Sequence, residues 1–350
     1  MSCDYIIVGS GLASIMFAEQ LRIHQKSFVV ISDRSQQASV VASGLYNPVV
    51  LKRFTAAWNA NSHLRCAIPK YTSLELLLGL KLDYMIPIHR VLNSVQEQNN
   101  WFLACDKPII NQFLNLDLIN NSNNFVRAPF GFGEVYSTGR IDTQMLIDGY
   151  RSFLSDSNQY ISETFDYDSL IETTHGLNYK TIKSKYIVFT EGFGIHINPY
   201  FKHLPLEGTK GELITIHAPD LKLKTILKSS IFVIPMESDN YLIGSTYEWT
   251  DKTNIPTPKA KSQLLEKLEL LISCNYEVVD QRAGIRPTVS DRRPLVGCHP
   301  NHNRMYVLNG LGTRGVLIAP SMAELLYEFI ESNIPLPDEI NISRFNSLFS

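Results

Sequence analysis

The alternation of apolar and polar residues at the start of the chain predicts a strand, a helix and a second strand. Residues 4–8 form a short β-branched apolar run, which is typical of a strand that is buried on both faces. Residues 15–24 carry apolar side chains at helical spacing, and residues 28–31 form a second run of the buried type. This order is that of a βαβ unit, whose two strands run parallel.

The remaining pattern alternates helices with blocks of short strands. Helices are predicted over residues 58–80, 143–154, 259–272 and 315–330, with Asp142 as N-cap of the second. Strands are predicted over residues 186–190, 212–217, 231–235, 241–245 and 306–308, and turn signals within 82–137 favour an antiparallel sheet there. The predicted fold class is α/β, with a Rossmann-type dinucleotide-binding domain of residues 1–80, 138–204 and 276–350. An antiparallel-sheet α+β substrate domain, residues 81–137 and 205–275, is interleaved with it.

Composition and charge argue against several kinds of protein. The 350 residues include 32 basic and 34 acidic side chains, without a run of five like charges, so we expect no nucleic-acid partner. No stretch of 18 apolar residues occurs, so we expect no integral membrane segment. The five cysteines and nine histidines are scattered, which disfavours disulfides and a metal site. The start of the chain lacks the pattern of a signal peptide, and we expect a cytoplasmic protein.

The glycine motif Gly9-x-Gly11-x-x-Ser14 lies between the first predicted strand and helix. Gly9 permits a tight turn, Gly11 lets a pyrophosphate approach the helix N-terminus, and the small Ser14 allows close helix–strand packing. Asp33 ends the second strand, where a carboxylate accepts hydrogen bonds from ribose hydroxyls. Arg34, the next residue, is a further candidate for cofactor contact. The motif predicts dinucleotide binding, and a purely structural glycine turn is the alternative.

The position of this motif favours FAD over a nicotinamide dinucleotide. A second glycine fingerprint midway along the chain is expected of an enzyme with its own nicotinamide domain, and the sequence contains none. Glu191-Gly192 ends a strand without opening a clear helix, so Gly192 is a candidate contact to the same cofactor. The chain also returns to the first domain at its C-terminal end, as expected of an FAD-binding domain.

Later motifs follow a fixed order and resemble those of the D-amino-acid oxidase family. They are Gly139-Arg140-Ile141-Asp142, Pro205-Leu206-x-Gly208-x-Lys210-Gly211-Glu212, Ile234-Pro235 with Tyr241 to Thr246, Gly284-Ile285-Arg286-Pro287, Asp291-x-x-Pro294-Leu295-Val296-Gly297 and Gly310-x-Gly312-Thr313-Arg314-Gly315. This FAD-dependent family contains glycine oxidase, sarcosine oxidase and D-amino-acid dehydrogenase. Residues 50–135 match none of its motifs.

The resemblance implies how FAD is held. The loop 39–48 falls where the family wraps the flavin, and glycines near the C-terminal end place backbone amides near the flavin pyrimidine. Some relatives bind flavin covalently through a cysteine shortly after Gly-x-Arg-Pro, but Thr288-Val289-Ser290 stands there, so we expect noncovalent FAD. The cofactor candidates that follow are Ala42, Ser43, Gly44, Gly310, Gly312, Thr313, Arg314 and Gly315, although Arg314 is equally a surface residue by its sequence.

The resemblance also implies that Arg286 grips a substrate carboxylate. A planar guanidinium suits a carboxylate bidentately, although Arg286 could instead only brace its turn. Tyr241 and Tyr247 are candidates for the substrate pocket or for ordinary packing. Lys52 and Arg53 either reach the active site or are solvated charges.

The function predicted is that of an FAD-dependent oxidoreductase that oxidises the Cα–H of an amine or amino acid by hydride transfer to flavin N5. Its partners are a small amine or amino-acid substrate and an electron acceptor, oxygen or a quinone. Three alternatives stay open: a 2-hydroxy-acid dehydrogenase of the same fold, an amine oxidase that modifies tRNA, and a non-catalytic flavin-binding scaffold or redox sensor. The net charge of −2 disfavours the tRNA alternative.

Overall fold

The computed structural model describes residues 1–349. Its helices within that range are α1 Leu12–Ile23, α2 Ala38–Val41, α3 Ala60–Leu78, α4 Val95–Cys105, α5 Thr143–Asp156, α6 Pro258–Glu269 and α7 Gly315–Ser332. Its strands there are β1 Ser2–Val8, β2 Phe28–Ile31, β3 Leu45–Tyr46, β4 Val49–Val50, β5 Thr55–Ala56, β6 Asp83–Met85, β7 Ile88–Val91, β8 Phe132–Val135, β9 Gly139–Ile141, β10 Tyr160–Ile161, β11 Leu170–Thr173, β12 Gly176–Tyr179, β13 Ile182–Phe189, β14 Thr209–His217, β15 Ile226–Lys228, β16 Phe232–Pro235, β17 Asn240–Gly244, β18 Glu277–Arg286, β19 Leu295–His299 and β20 His302–Asn309.

An eight-stranded sheet carries the predicted βαβ unit. Its order is β10-β2-β1-β13-β12-β11, with β20 beside β13 and β19 beside β20. The strands β10, β2, β1, β13 and β20 are parallel, whereas β11 with β12, β12 with β13, and β19 with β20 pair antiparallel. Tyr5 and Ile7 pack with α1, α5 and α7 on one face, whereas Ile6 and Val8 pack on the other. Both faces are therefore buried, which explains the unbroken apolar runs of these strands.

A seven-stranded sheet forms the second layer, which we call the cap sheet. Its order is β18-β14-β17-β16-β15-β7-β8, antiparallel except between β15 and β7. Ile214 and Ile216 pack against α6 on one face, and Leu213 faces the opposite way. Because side chains alternate along each strand, one face of the cap sheet has a core of its own and the other is directed at the first layer.

We propose two changes to the predicted domain division, the first of which moves β6 out of the cap because it pairs with β9. We expected residues 276–350 to belong to the dinucleotide-binding domain, but β18 pairs with β14 along its length and so lies in the cap sheet. We propose that the cap comprises residues 86–137 and 205–286. Most predicted elements occur within a few residues of their expected bounds, and Asp142 caps α5 by accepting a hydrogen bond from the Met145 amide at 3.0 Å.

The region 82–137 contains an element that the sequence analysis missed. We expected only antiparallel strands there, but α4 occupies Val95–Cys105. Ser94 accepts a hydrogen bond from the Glu97 amide, and the Glu97 carboxylate accepts one from the Asn93 amide in return. The Ser-x-x-Glu spacing of a capping box was thus present in the sequence. Among residues 1–349, no helix has both the length and the apolar character needed to cross a membrane.

Candidate active site

A cavity of about 550 Å³ lies between the two sheets. It begins at the C-terminal ends of β1 and β2, passes α2 and the N-terminus of α7, and ends beneath the cap sheet. Ligands of open α/β sheets bind at the C-terminal edge of the strands. We call its two parts the Asp33 end and the Arg286 end.

The N-terminus of α1 opens onto the Asp33 end. Gly9 has a φ of 107°, and a Cβ there would stand 2.7 Å from the Thr190 carbonyl oxygen, so the turn requires glycine. A Cβ at Gly11 would meet only the Ser39 side chain, at 3.1 Å. Gly11 is the N-cap of α1 and offers no side chain to its first amides. These amides suit an anion such as a pyrophosphate. Ser14 is buried in α1 and does not line the cavity.

Asp33 lines the cavity and is fixed by hydrogen bonds. Its carboxylate accepts from the Ser35 amide at 2.9 Å and from the Thr164 hydroxyl at 3.0 Å. Burial alone would raise the pKa of Asp33, but these hydrogen bonds outweigh it and hold the pKa below its usual value. The ionised carboxylate keeps further lone pairs for ribose hydroxyls. Arg34 packs over the Tyr160 ring at 5.7 Å and does not line the cavity.

Glu191 is a second carboxyl group at the Asp33 end, and sequence analysis gave it no role. It accepts hydrogen bonds from the Tyr167 hydroxyl and from the Asn198 amide. Burial raises the pKa of Glu191 to about 7, with a contribution from Asp33, although its two donors oppose the shift. The signal in the sequence was a glutamate shortly after an apolar strand. It precedes Gly192, which also lines the cavity.

Two loops line the middle of the cavity. Gly44 has a φ of 70°, and a Cβ there would lie 1.8 Å from the Ile141 carbonyl oxygen. Its neighbours Ala42 and Ser43 also line the cavity. From the other side, Gly312, Thr313, Arg314 and Gly315 line it at the start of α7. Arg314 donates to the Asn47 carbonyl at 2.9 Å and is thus not a solvated surface residue.

Gly310 has a role in the turn and not in the cavity wall. Its φ is 71°, and a Cβ there would meet the Val289 side chain at 2.5 Å. Gly310 is absent from the residues that line the cavity. The preceding Asn309 lines it instead and donates to the Gly192 carbonyl at 2.9 Å. The glycine therefore shapes the loop that carries its neighbours.

Arg286 reaches into the cavity from the end of β18. Its guanidinium donates to the Thr246 carbonyl at 3.3 Å and stacks over the Tyr247 ring at 4.7 Å. Burial lowers its pKa from the ordinary value, and no carboxylate side chain pairs with it among residues 1–349. Most of its five N–H donors therefore remain available to a ligand.

Gly211 makes room for this guanidinium. A Cβ at Gly211 would lie 1.9 Å from Nη2 of Arg286 and 2.2 Å from its Cζ. The guanidinium thus rests directly on the backbone of β14, one strand away from its own. This contact gives a physical reason for the glycine of the Lys210-Gly211-Glu212 motif.

The loop 245–257, which carries Tyr247, is anchored by a buried lysine. The Lys210 side chain is fully buried, and its ammonium donates to the Asp251 carboxylate and to the Ile255 carbonyl. Its backbone exchanges two hydrogen bonds with Glu248, at 2.8 and 2.9 Å. Tyr247 itself is 60% exposed and forms part of the cavity wall.

Two predicted substrate contacts lie elsewhere. Tyr241 is 2% exposed and packs with Ile216 and α6, because it shares the face of β17 with Ile243 and not with Gly244. Arg53 is exposed and does not line the cavity, whereas its neighbour Lys52 does. Tyr241 and Arg53 are therefore not retained as substrate ligands.

Known proteins share this architecture and sequence. The family described as FAD dependent oxidoreductase matches residues 4–329. The chain belongs to this family. The predicted resemblance, the fold class, the enzyme class and FAD as cofactor are thereby confirmed.

Individual relatives agree with the family assignment. Glycine oxidase from Bacillus subtilis is 22% identical over 221 residues, which cover 58% of this chain and 59% of that protein. The bifunctional protein ThiO/ThiG from Trichormus variabilis is 24% identical over 380 residues, or 99% of this chain and 55% of that protein. The match thus spans little more than half the length of these relatives. The structure of glycine oxidase from Bacillus cereus has a TM-score of 0.75 at 17% identity, covering 95% of this chain and 96% of that one, which shows a common fold.

The residues of the cavity fit FAD. The amides at the start of α1 suit the pyrophosphate, the ionised Asp33 suits a ribose, and loop 42–44 after α2 and the glycine-rich loop before α7 admit a flat ring close to the backbone. Val289 and its neighbours Thr288 and Ser290 offer no thiol near Arg286. We propose that FAD is bound noncovalently by these groups.

Proposed function

We propose that this enzyme oxidises the Cα–H bond of a small amino acid or an N-substituted glycine. The observation that carries the proposal is the Arg286 guanidinium, which lies at the cap end of an FAD-binding cavity with a backbone carbonyl and an aromatic ring as its partners. Such a fork suits the carboxylate of an amino acid. The glycine oxidases among the relatives support this substrate class.

The chain's own residues position the substrate. Arg286 binds the carboxylate through two parallel hydrogen bonds, and Tyr247 and Gly211 restrict the guanidinium from two sides. Leu213 and Phe232 line the cavity on the face of the cap sheet that covers it, and they exclude water. Bound FAD supplies the oxidising chemistry by accepting a hydride at N5. A fixed orientation of the Cα–H toward that atom is the contribution of the protein.

The charge of the site favours a neutral amine. Lys52, Lys228, Arg286 and Arg314 line the Arg286 end, and no histidine or carboxylate of residues 1–349 lines that end with them. Nearby positive charges lower the pKa of a bound ammonium group. The substrate can therefore lose its amine proton to solvent on binding, and no side-chain base is needed.

Anaerobic reduction of the bound flavin tests the proposal. We expect bleaching by glycine, sarcosine or a small D-amino acid, with ammonia or an amine and an oxo acid as products. Reduction by glycolate or lactate alone would replace the proposal with 2-hydroxy-acid oxidation. A flavin that stays oxidised with every amine and hydroxy acid would support the scaffold alternative.

A further inference from the structure

Lys228 lines the Arg286 end of the cavity without a partner for its ammonium group. It is half-buried at the end of β15, and no hydrogen bond or ion pair to its Nζ occurs among residues 1–349. Burial, together with the charges of Arg90 and Lys267, lowers the pKa of Lys228 to about 8. A buried cation that is surrounded by other cations has no structural benefit, because its desolvation is uncompensated.

The register of the cap sheet aims Lys228 into the cavity. Lys228 pairs with Phe232, Phe232 with Gly244, and Gly244 with Leu213. Residues that are directly paired project from the same face of a sheet. Phe232 and Leu213 both line the cavity, so the lysine shares their face.

The neighbouring Arg90 shows how a structural cation is treated in this sheet. Arg90 pairs with Lys228 across β7 and β15. Its guanidinium donates to the Val91 carbonyl at 2.7 Å and lies 3.5 Å from the Glu97 carboxylate. Arg90 is thus neutralised within the protein, and Lys228 is not.

Lys228 and Arg286 lie at opposite sides of the face of the cap sheet that covers the cavity. The Arg286 guanidinium rests on Gly211 of β14, and β15 lies three strands from β14. At about 4.8 Å per strand, and with about 3.4 Å per residue for the two residues between Leu213 and Gly211, the backbone positions of Lys228 and Gly211 are roughly 16 Å apart. Phe232 and Leu213 provide an apolar surface between them. A ligand with two anionic groups joined by a short aliphatic spacer matches this arrangement.

We propose that the substrate carries a second anionic group, and that Lys228 binds it while Arg286 holds the amino-acid carboxylate. This inference rests on the proposed function, since it assigns the first carboxylate to Arg286. The second anion could extend from the substrate's Cα side chain or from its nitrogen.

Binding of simple carboxylates to the holoenzyme tests the inference without turnover. Glutarate and pentanoate differ only by a carboxylate in place of a methyl group, and the flavin absorbance reports their binding. A charge-assisted hydrogen bond is worth roughly 1.5–3 kcal/mol, so we expect glutarate to bind about ten to a hundred times more tightly. Lys228→Met should remove this advantage. Lys224→Met, which removes an exposed lysine outside the cavity, should retain it.

Two results would overturn the inference. One is that the wild-type protein binds glutarate and pentanoate with equal affinity, or binds neither of them. The other is a glutarate advantage that survives in Lys228→Met, since it would place the second anion elsewhere. The proposed function fails separately if no amine reduces the flavin, whether or not glutarate and pentanoate bind.

Matched substrates locate the second anion. D-glutamate against D-norvaline places it on the side chain, and iminodiacetate against N-ethylglycine places it on the nitrogen. We expect one pair to show a kcat/KM at least tenfold higher for the dianionic member, and Lys228→Met to abolish that difference. Neither pair showing a preference would contradict the inference even if glycine is oxidised.

Discussion

The two ends of the cavity differ in how the protein treats its charged groups. At the Asp33 end, both carboxyl groups accept hydrogen bonds from neighbouring protein donors. At the Arg286 end, no hydrogen bond or ion pair to Nζ of Lys228 occurs within residues 1–349, and Arg286 has a carbonyl and a ring as partners. Asp33 and Glu191 are thus fixed by the protein before any ligand arrives, whereas the two cations are left for the ligand to neutralise.

This difference corresponds to the two ligands proposed for the cavity, the cofactor at the Asp33 end and the substrate at the Arg286 end. FAD is the cofactor of the family, so carboxyl groups that are already hydrogen-bonded at its site do not restrict the range of substrates. The free energy of desolvating the cations is offset only when a negatively charged substrate binds to them. On the proposed function, the unpaired cations would select for anionic substrates at the expense of some stability.

The largest effect is expected at the pyrophosphate position of the Asp33 end. Gly11→Val should abolish FAD retention, because its side chain would occupy the space next to the α1 amides. The Cβ itself meets only Ser39 at 3.1 Å, so the apoprotein should keep a Tm close to that of the wild type. Flavin content and thermal unfolding measure the two. A variant that unfolds would show that Gly11 serves the fold instead.

A substitution next to the Arg286 end comes second. Gly211→Ala should weaken carboxylate binding by about ten- to a hundredfold, because the new Cβ would displace the guanidinium. FAD content should be unchanged, and Arg286→Lys should show a comparable loss. Flavin absorbance titrations with pentanoate compare these variants. Native affinity in both would make Arg286 a brace for its turn.

At the Asp33 end a smaller effect on the cofactor is expected. Asp33→Ala should weaken FAD binding by about tenfold, since a hydrogen bond to a charged acceptor is worth roughly 1.5–3 kcal/mol. The visible spectrum of bound flavin should not change, because the ribose lies far from the ring. Apoprotein titration with FAD measures the affinity. An unaltered dissociation constant would leave Asp33 with only its Ser35 and Thr164 contacts.

The smallest effect concerns the buried carboxyl at the same end. The pKa of Glu191 is about 7 in the folded protein against an ordinary 4.5, so between these values the folded state binds more protons. The free energy of unfolding should therefore fall as pH rises toward 7. Between pH 6 and pH 7.5 the loss is about 1 kcal/mol. Urea unfolding of the apoprotein should show it in the wild type and not in Glu191→Gln.

Sequence reasoning succeeded where the signal is local. The turn at Gly9, the strand end at Asp33 and the cap at Asp142 each depend on residues within one element or its next neighbour. The position of Arg286 came from a motif and agrees with its place in the cavity. The role of Asp33 in binding ribose stays a prediction.

The features that escaped depend on pairing between distant segments. Lys228 has no motif, and it joins the site only through its register with Phe232 and, two strands further, with Leu213. Of the two alternatives given for Tyr241, the structure favours ordinary packing, because strand alternation places Tyr241 with Ile243 on the α6 face. Gly211 was recognised as part of a motif, but its contact with Arg286 exists only in three dimensions.

The junction below β18 ties the cap sheet to the first layer. Pro287, which follows Arg286, accepts a hydrogen bond from the Gly312 amide at 3.0 Å and ties the end of β18 to the loop before α7. Lys228 lies four strands away from β18 in the cap sheet. Arg286 and Lys228 belong to the same hydrogen-bonded sheet, so a displacement of the cap as a unit would move them together. The spacing of the two cations is therefore set by the sheet itself, and the tie at Pro287 holds the Arg286 end of that sheet beside the start of α7.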